Sequence, residues 1–168
     1  MSWPALTRPI PSLGPERKLW GFSPDPGRLV ERETTRGLVR RMDVRLGVVG
    51  AHLRGQPLNA ELLDLGAIFL HQTRTAPHYR LFVLPDTSPK KPGMIRSGSG
   101  EAIEIEVWQL GVAAFGRLVA SVPPPLVIGN VKLASGEWIK GFLCEQVALK
   151  DALEITSQGG WRAYLASL

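Results

Sequence analysis

Between Ile103 and Trp108 the chain alternates without a break, with Ile103, Ile105 and Val107 on one side of an extended backbone and Glu104, Glu106 and Trp108 on the other. A period of two belongs to a strand, because successive side chains of extended backbone point to opposite faces. The apolar side must meet a core. The opposite side, carrying two carboxylates and an indole, belongs either on a solvated outer face or against a polar cavity. This segment therefore commits the fold to a sheet.

The remaining elements are short, because glycine and proline interrupt them. Residues 44–49 form an apolar run that ends at Gly50, as a buried strand feeding a tight loop would. Asn59 is placed to cap a helix through Leu65, with Gly66 as its stop. Residues 68–75 and 78–84 read as two strands joined at Ala76 and Pro77, predicted to pair antiparallel. Residues 89–99 form a loop rich in Pro, Gly, Ser and Lys, with a very short strand at Met94 and Ile95. Helical spacing through Ala113, Leu118 and Val119 is ended by Pro123, Pro124 and Pro125. Residues 127–133 and 138–143 flank Ala134, Ser135, Gly136 and Glu137 in the pattern of a hairpin. About six strands and three short helices predict an α+β domain whose bent sheet closes into a small mixed β-barrel, with the helices outside.

A chain of 168 residues has room for one ordinary domain. That domain is expected over residues 43–168. Residues 1–42 hold six of the fourteen prolines, follow neither periodicity, and read as an extended or poorly ordered basic arm. The net charge of +5 concentrates there: residues 1–42 carry eight Lys or Arg against four acids, and the other residues twelve against eleven. A nearly neutral domain with a basic tail gives little support to nucleic-acid binding. Cys144 is the single cysteine, which excludes an intrachain disulfide or a cysteine-based zinc site and fits a reducing, cytoplasmic setting. Within Phe142-Leu143-Cys144 it reads as a small core residue. No apolar stretch approaches the roughly 18 residues that cross a bilayer, so no membrane partner is expected. The oligomeric state stays open.

The loop Gly50-Ala51-His52-Leu53-Arg54-Gly55 is the most informative local feature. Glycine-flanked loops after a strand can turn successive backbone N–H groups toward an anion, although the same pattern also makes an ordinary turn. His52 lies inside it and is the candidate for proton exchange near neutrality. His71 and His78 fall on or beside strands and read as surface residues. No pair among the three histidines has metal-site spacing, so no metal and no cofactor is expected. Lys91, beside Pro92 and Gly93 in a constrained loop, could complement an anionic ligand, whereas Lys90 and Lys140 read as solvated charge. The chain has neither a G-x-S-x-G elbow nor a phosphate-binding P-loop, and lacks the serine-rich amidase signature.

Several of these segments, taken in order, resemble the allophanate hydrolase carboxyl-terminal domain. The first runs from Val48 through Gly50, His52 and Gly55 to Asn59. It is followed by Thr73-Arg74-Thr75-Ala76-Pro77-His78-Tyr79, Lys91-Pro92-Gly93-Met94 and Ile103-Glu104-Ile105-Glu106-Val107-Trp108. Near the end come Lys140-Gly141-Phe142-Leu143-Cys144-Glu145 and Gly159-Gly160-Trp161-Arg162. The resemblance implies a gamma-glutamylcyclotransferase-like fold with the first glycine loop at the mouth of a ligand cavity. True cyclotransferases carry an acid beyond the strand equivalent to that of Glu106. Here residues 115–123 contain no Asp or Glu, so cyclotransferase activity is not expected.

In allophanate hydrolases an amidase domain deaminates allophanate, and the domain resembled here is implicated in decarboxylating the N-carboxycarbamate produced. The resemblance thus implies a small carboxylated urea derivative as ligand, a separate amidase as its source, and His52 as general acid/base. Its substrate-binding candidates are Gly50, Ala51, Leu53, Tyr79, Lys91, Pro92, Gly93, Glu106 and Lys140. The alternative is a non-catalytic module that binds small carboxylates or docks a partner amidase.

Overall fold

In the computed structural model, residues 43–168 are described. The expectation for the arm at 1–42 lies outside them. Eight strands and three α-helices alternate along this stretch: β1 (Asp43–Val48), α1 (Asn59–Asp64), β2 (Ile68–Arg74), β3 (Tyr79–Val83), β4 (Pro92–Arg96), β5 (Glu104–Gly111), α2 (Val112–Ser121), β6 (Leu126–Lys132), β7 (Trp138–Cys144), β8 (Leu153–Glu154) and α3 (Trp161–Ala166). A five-stranded sheet has the order β2-β5-β1-β7-β6, and a three-stranded sheet the order β4-β3-β8. β1 runs antiparallel to β5 and parallel to β7. The expected closed barrel is not formed among the described residues; two open sheets take its place.

The predicted pairing of residues 68–75 with 78–84 is also corrected, since β2 pairs with β5 while β3 pairs with β4 and β8. The cause lies in the residues between them. Thr75 is bound twice to Ile103: its N–H donates to the Ile103 carbonyl at 2.9 Å, and its Oγ1 accepts from the Ile103 N–H at 2.9 Å. Ala76 then donates to the Lys132 carbonyl at 2.9 Å, and Pro77 has no N–H with which to close a hairpin. The chain is thereby carried from one sheet to the other.

The hairpin β6–β7 forms as expected, in register from Leu126↔Cys144 to Lys132↔Trp138. α2 ends at Ser121, ahead of the three prolines. β5 is buried on both faces, and this settles the ambiguity of its mixed side: Ile105 and Val107 are enclosed, and so are Glu106 and Trp108. The two sheets meet where a Cβ on Gly93 of β4 would lie 2.7 Å from Cys144 Sγ of β7, a separation that only glycine permits. α3 closes one end of the core with Trp161 and Tyr164. No described helix is long and apolar enough to cross a membrane.

Candidate functional site

β1 delivers its last residues into a loop pressed against β4. A Cβ on Gly50 would sit 2.3 Å from both Cδ and Cγ of Pro92, so the loop keeps this path only with glycine there. The carbonyls that follow are all engaged inside the protein. Gly50 O accepts from Leu53 N at 2.9 Å, Ala51 O from Leu58 N at 2.8 Å, and Leu53 O from Gln56 N at 2.9 Å. His52 O accepts from Asn59 Nδ2 at 3.0 Å. Asn59 thus braces the loop rather than capping α1, whose N-cap residue is Leu58.

The N–H groups behave differently. Those of Gly50, Ala51 and His52 donate to no acceptor among the described residues. Gly50 and Ala51 are buried. Leaving a buried donor unmatched costs about 1–3 kcal/mol, so such donors call for an acceptor from outside. The same residues, with Val48, Val49, Lys91, Pro92, Leu126 and Phe142, line a small hollow of about 30 Å³. Successive amides bordering a hollow suit a carboxylate.

His52 stands at the opening of this hollow, its side chain 13% exposed. The ring stacks on Phe142 at 4.9 Å with an interplanar angle of 15°, and Nε2 lies 3.0 Å from Glu61 Oε2 of α1. Burial pushes the imidazole below its usual 6.5; the hydrogen bond and charge of Glu61 oppose that, and nearby Lys91 adds to the lowering. Lys91 is held through its main chain: its N–H donates to Thr87 Oγ1 and its carbonyl accepts from Leu84 N, both at 3.0 Å. Among the described residues its ammonium has no ion-pair partner. The hollow adjoins a wider groove of about 670 Å³, which shares His52, Lys91, Leu126 and Phe142 and adds Glu61, Asp64 and Arg117.

Of the residues singled out in the sequence, Gly50, Ala51, His52, Lys91 and Pro92 are brought together here. Leu53 is buried in the core with its N–H already bound to Gly50 O. Gly93 lies behind Pro92, against Cys144 and Leu84. Tyr79 is fully buried away from the hollow, its hydroxyl accepting from Lys132 N at 2.7 Å. Lys140, exposed on β7, donates to Asn130 Oδ1 at 2.9 Å. Burial raises the Cys144 thiol to about 11, which leaves it protonated and inert near neutrality.

Glu106 is neither solvated nor turned toward the hollow. Its side chain is 0% exposed. Oε1 accepts from Arg54 Nε at 3.1 Å and Arg162 Nη2 at 2.7 Å, while Oε2 accepts from Arg54 N at 3.0 Å and Trp108 Nε1 at 3.2 Å. Burial raises this carboxyl, and the hydrogen bonds from Arg162 and Arg54 outweigh it, leaving Glu106 below its usual range. Arg162 also reaches Glu104 Oε1 at 2.7 Å and the Arg54 carbonyl at 3.0 Å. Among the described residues no group of three His, Cys, Asp or Glu side chains could hold a metal ion.

Sequence reasoning missed Glu61 and Phe142 as neighbours of His52, Arg117 as a residue of the wider groove, and Arg162 as the partner of Glu106. Glu61 lies nine positions beyond His52, a distance that matches no local spacing rule. Phe142 and Arg162 arrive from distant elements and carried no sign of their destination.

Three comparisons bear on this arrangement. A profile of the family described as "Allophanate hydrolase C-terminal domain" matches residues 44–166. The chain is 44% identical over 130 residues to a urea amidolyase of Saccharomyces cerevisiae, a match covering 74% of this chain and 7% of that protein. It is similar to the solved allophanate hydrolase of Kluyveromyces lactis, with 41% identity and a TM-score of 0.71, covering 74% of this chain and 21% of that one. It also resembles a uropathogenic E. coli-specific protein, with 38% identity and a TM-score of 0.69, covering 75% of this chain and 98% of that one. A likeness to an aig2-like protein of Mus musculus, 17% identical with a TM-score of 0.51 over 63% of this chain and 78% of that one, concerns the fold alone. The fold is therefore mixed α/β with a sheet-dominated core and few helices, similar to gamma-glutamylcyclotransferase-like folds.

Proposed function

Because this chain belongs to the allophanate hydrolase C-terminal domain family, we propose that it binds N-carboxycarbamate, supplied by a separate amidase, and releases carbon dioxide from it. The observation that carries this reading is the set of three loop amides, at Gly50, Ala51 and His52, without an acceptor among the described residues and bordering a hollow lined also by His52 and Lys91. N-carboxycarbamate has a carboxylate on each side of one nitrogen. One carboxylate sits on the amides, which have no acceptor among the described residues to give up for it. Lys91 offsets the charge of the second.

In the reaction the bond between the nitrogen and the departing carboxyl carbon breaks. Its electron pair stays on nitrogen, carbon dioxide leaves, and His52 delivers a proton to that nitrogen, giving carbamate. Burial depresses the His52 pKa, and a doubly anionic ligand beside the ring raises it, so the acid form is populated when substrate arrives. Glu61, on Nε2, orients the ring and stabilises the imidazolium; the wider groove gives access to bulk solvent for reprotonation. No cofactor enters the scheme.

The E. coli-specific relative, 98% of whose solved chain is covered, supports a domain of this kind working unfused. The lone buried thiol is in keeping with a reducing cytoplasm. The test couples a separate amidase to this chain and follows carbon dioxide release, with His52→Gln in parallel. Acceleration that is lost in the variant supports the reading. Equal release with and without the chain, or full turnover by His52→Gln, overturns it in favour of a docking module.

A further inference from the structure

The loop that offers its amides is fixed at its far end by a group that never reaches the hollow. Arg54, two residues beyond His52, is held by its main chain on both sides: its N–H donates to Glu106 Oε2 at 3.0 Å, and its carbonyl accepts from Arg162 Nη2 at 3.0 Å. Its guanidinium also donates to Glu106 Oε1 and lies 3.6 Å from the centroid of the Phe69 ring. Arg162, from the last helix, is fixed in turn by Glu104 and Glu106, each at 2.7 Å. Two guanidinium groups and two carboxylates close a neutral cluster, and all four acceptor directions of Glu106 are occupied.

Such an arrangement is a costly way to add stability alone. Only Glu106 is enclosed while Arg54 and Arg162 stay partly exposed, and burying its carboxylate gains little over apolar packing once desolvation is counted, whereas its four contacts define one geometry. The geometry fixed here is main-chain geometry. A carboxylate gripping one N–H and a guanidinium gripping the next carbonyl set the orientation of both peptide planes flanking Arg54. The amides of Ala51 and His52 lie three and two residues upstream, joined through Leu53, whose N–H returns to Gly50 O. From this we infer that Glu106 and Arg162 are positioning residues for carboxylate binding, acting through the main chain of Arg54 on the orientation of the Gly50–His52 amides. The inference rests on the proposed function for what the amides bind, though not for the order of the loop itself. It also reassigns Glu106, expected from the sequence to touch substrate, to a role one layer behind it.

The test uses the full chain and malonate, a stable dicarboxylate. Glu106→Gln keeps the shape and loses the charge, Arg162→Lys keeps the charge and loses the two-pronged grip, and Ile155→Val serves as a core control remote from the loop. For each protein, malonate affinity, hydrogen exchange of the Ala51 to Arg54 amides, the His52 titration by NMR and the thermal midpoint are measured. The expected result for Arg162→Lys is about a tenfold weaker malonate affinity with faster loop-amide exchange. His52 should titrate as in the parent, because Glu61, Asn59 and Phe142 hold it independently. Ile155→Val should lower the midpoint without either loop effect. Parent-like affinity and exchange in both cluster variants would overturn the inference while leaving the proposed function standing. If the parent binds no malonate, the proposed function fails, and loop-amide exchange alone still decides whether the cluster orders the loop. If Glu106→Gln does not fold, Arg162→Lys carries the test.

Discussion

Two polar regions lie at opposite ends of one short loop, and they use their hydrogen-bonding groups in opposite ways. Around Glu106 every acceptor is matched: two arginines, an indole and a main-chain N–H converge on one carboxylate, with nothing left for a ligand. Around His52 the carbonyls are matched and, among the described residues, the N–H groups of Gly50, Ala51 and His52 are not. The central groups of both regions, Glu106 in one and Gly50 and Ala51 in the other, are buried, so burial does not separate them. What separates them is whether donors remain without acceptors, and an enclosed set of unmatched donors beside a hollow belongs to a site, while a closed network belongs to the frame.

The largest effect that would sharpen this contrast comes from breaking the frame. Glu106→Ala leaves two guanidinium groups and an indole N–H facing the space of one lost carboxylate, and is expected to lower the unfolding free energy by about 3 kcal/mol, read from urea titration. His52→Gln should do the reverse. Carbon dioxide release should fall by about 10²-fold while stability stays within about 1 kcal/mol of the parent. Lys91→Met is expected to weaken malonate binding by about tenfold at low salt. That difference should shrink as ionic strength rises, because Lys91 lies where the hollow meets the open groove. A frame variant that abolished turnover without any loss of stability would erase the distinction.

The smallest effect concerns pH, and the two regions should respond in different windows. His52 has a folded pKa below 6.5, so the unfolded chain binds protons first; its contribution to stability is full above 6.5 and is lost as pH falls through that range. Glu106, lowered from 4.5, likewise contributes fully above 4.5 and loses its contribution only as pH falls further, through its folded value. Chemical denaturation between pH 7 and 3 should show two separate declines, the upper one absent in His52→Gln.

Most of the fold was legible because it is written in local periodicity. The alternation at Ile103–Trp108, the apolar run before Gly50 and the glycine-containing turn between β6 and β7 each fix an element from nearby residues alone. The order of strands was not, because Thr75 chooses its partner Ile103 across a separation that no local pattern encodes. Likewise His52, Lys91 and the glycine loop were visible as residue types suited to an anion, whereas Glu61 and Phe142 become relevant only once α1 and β7 are packed against the loop. Glu106 shows the limit most clearly. Its side of the strand was readable, but its neighbours depend on an arginine 56 positions away.

The direct measurement is a malonate titration followed through the backbone amide resonances of the intact chain. The account expects the N–H signals of Gly50, Ala51 and His52 to move downfield together and saturate with one dissociation constant, while those of Leu53 and Arg54, already bonded inside the protein, move least. Saturable binding that leaves those three signals in place, or no binding at all, would contradict it.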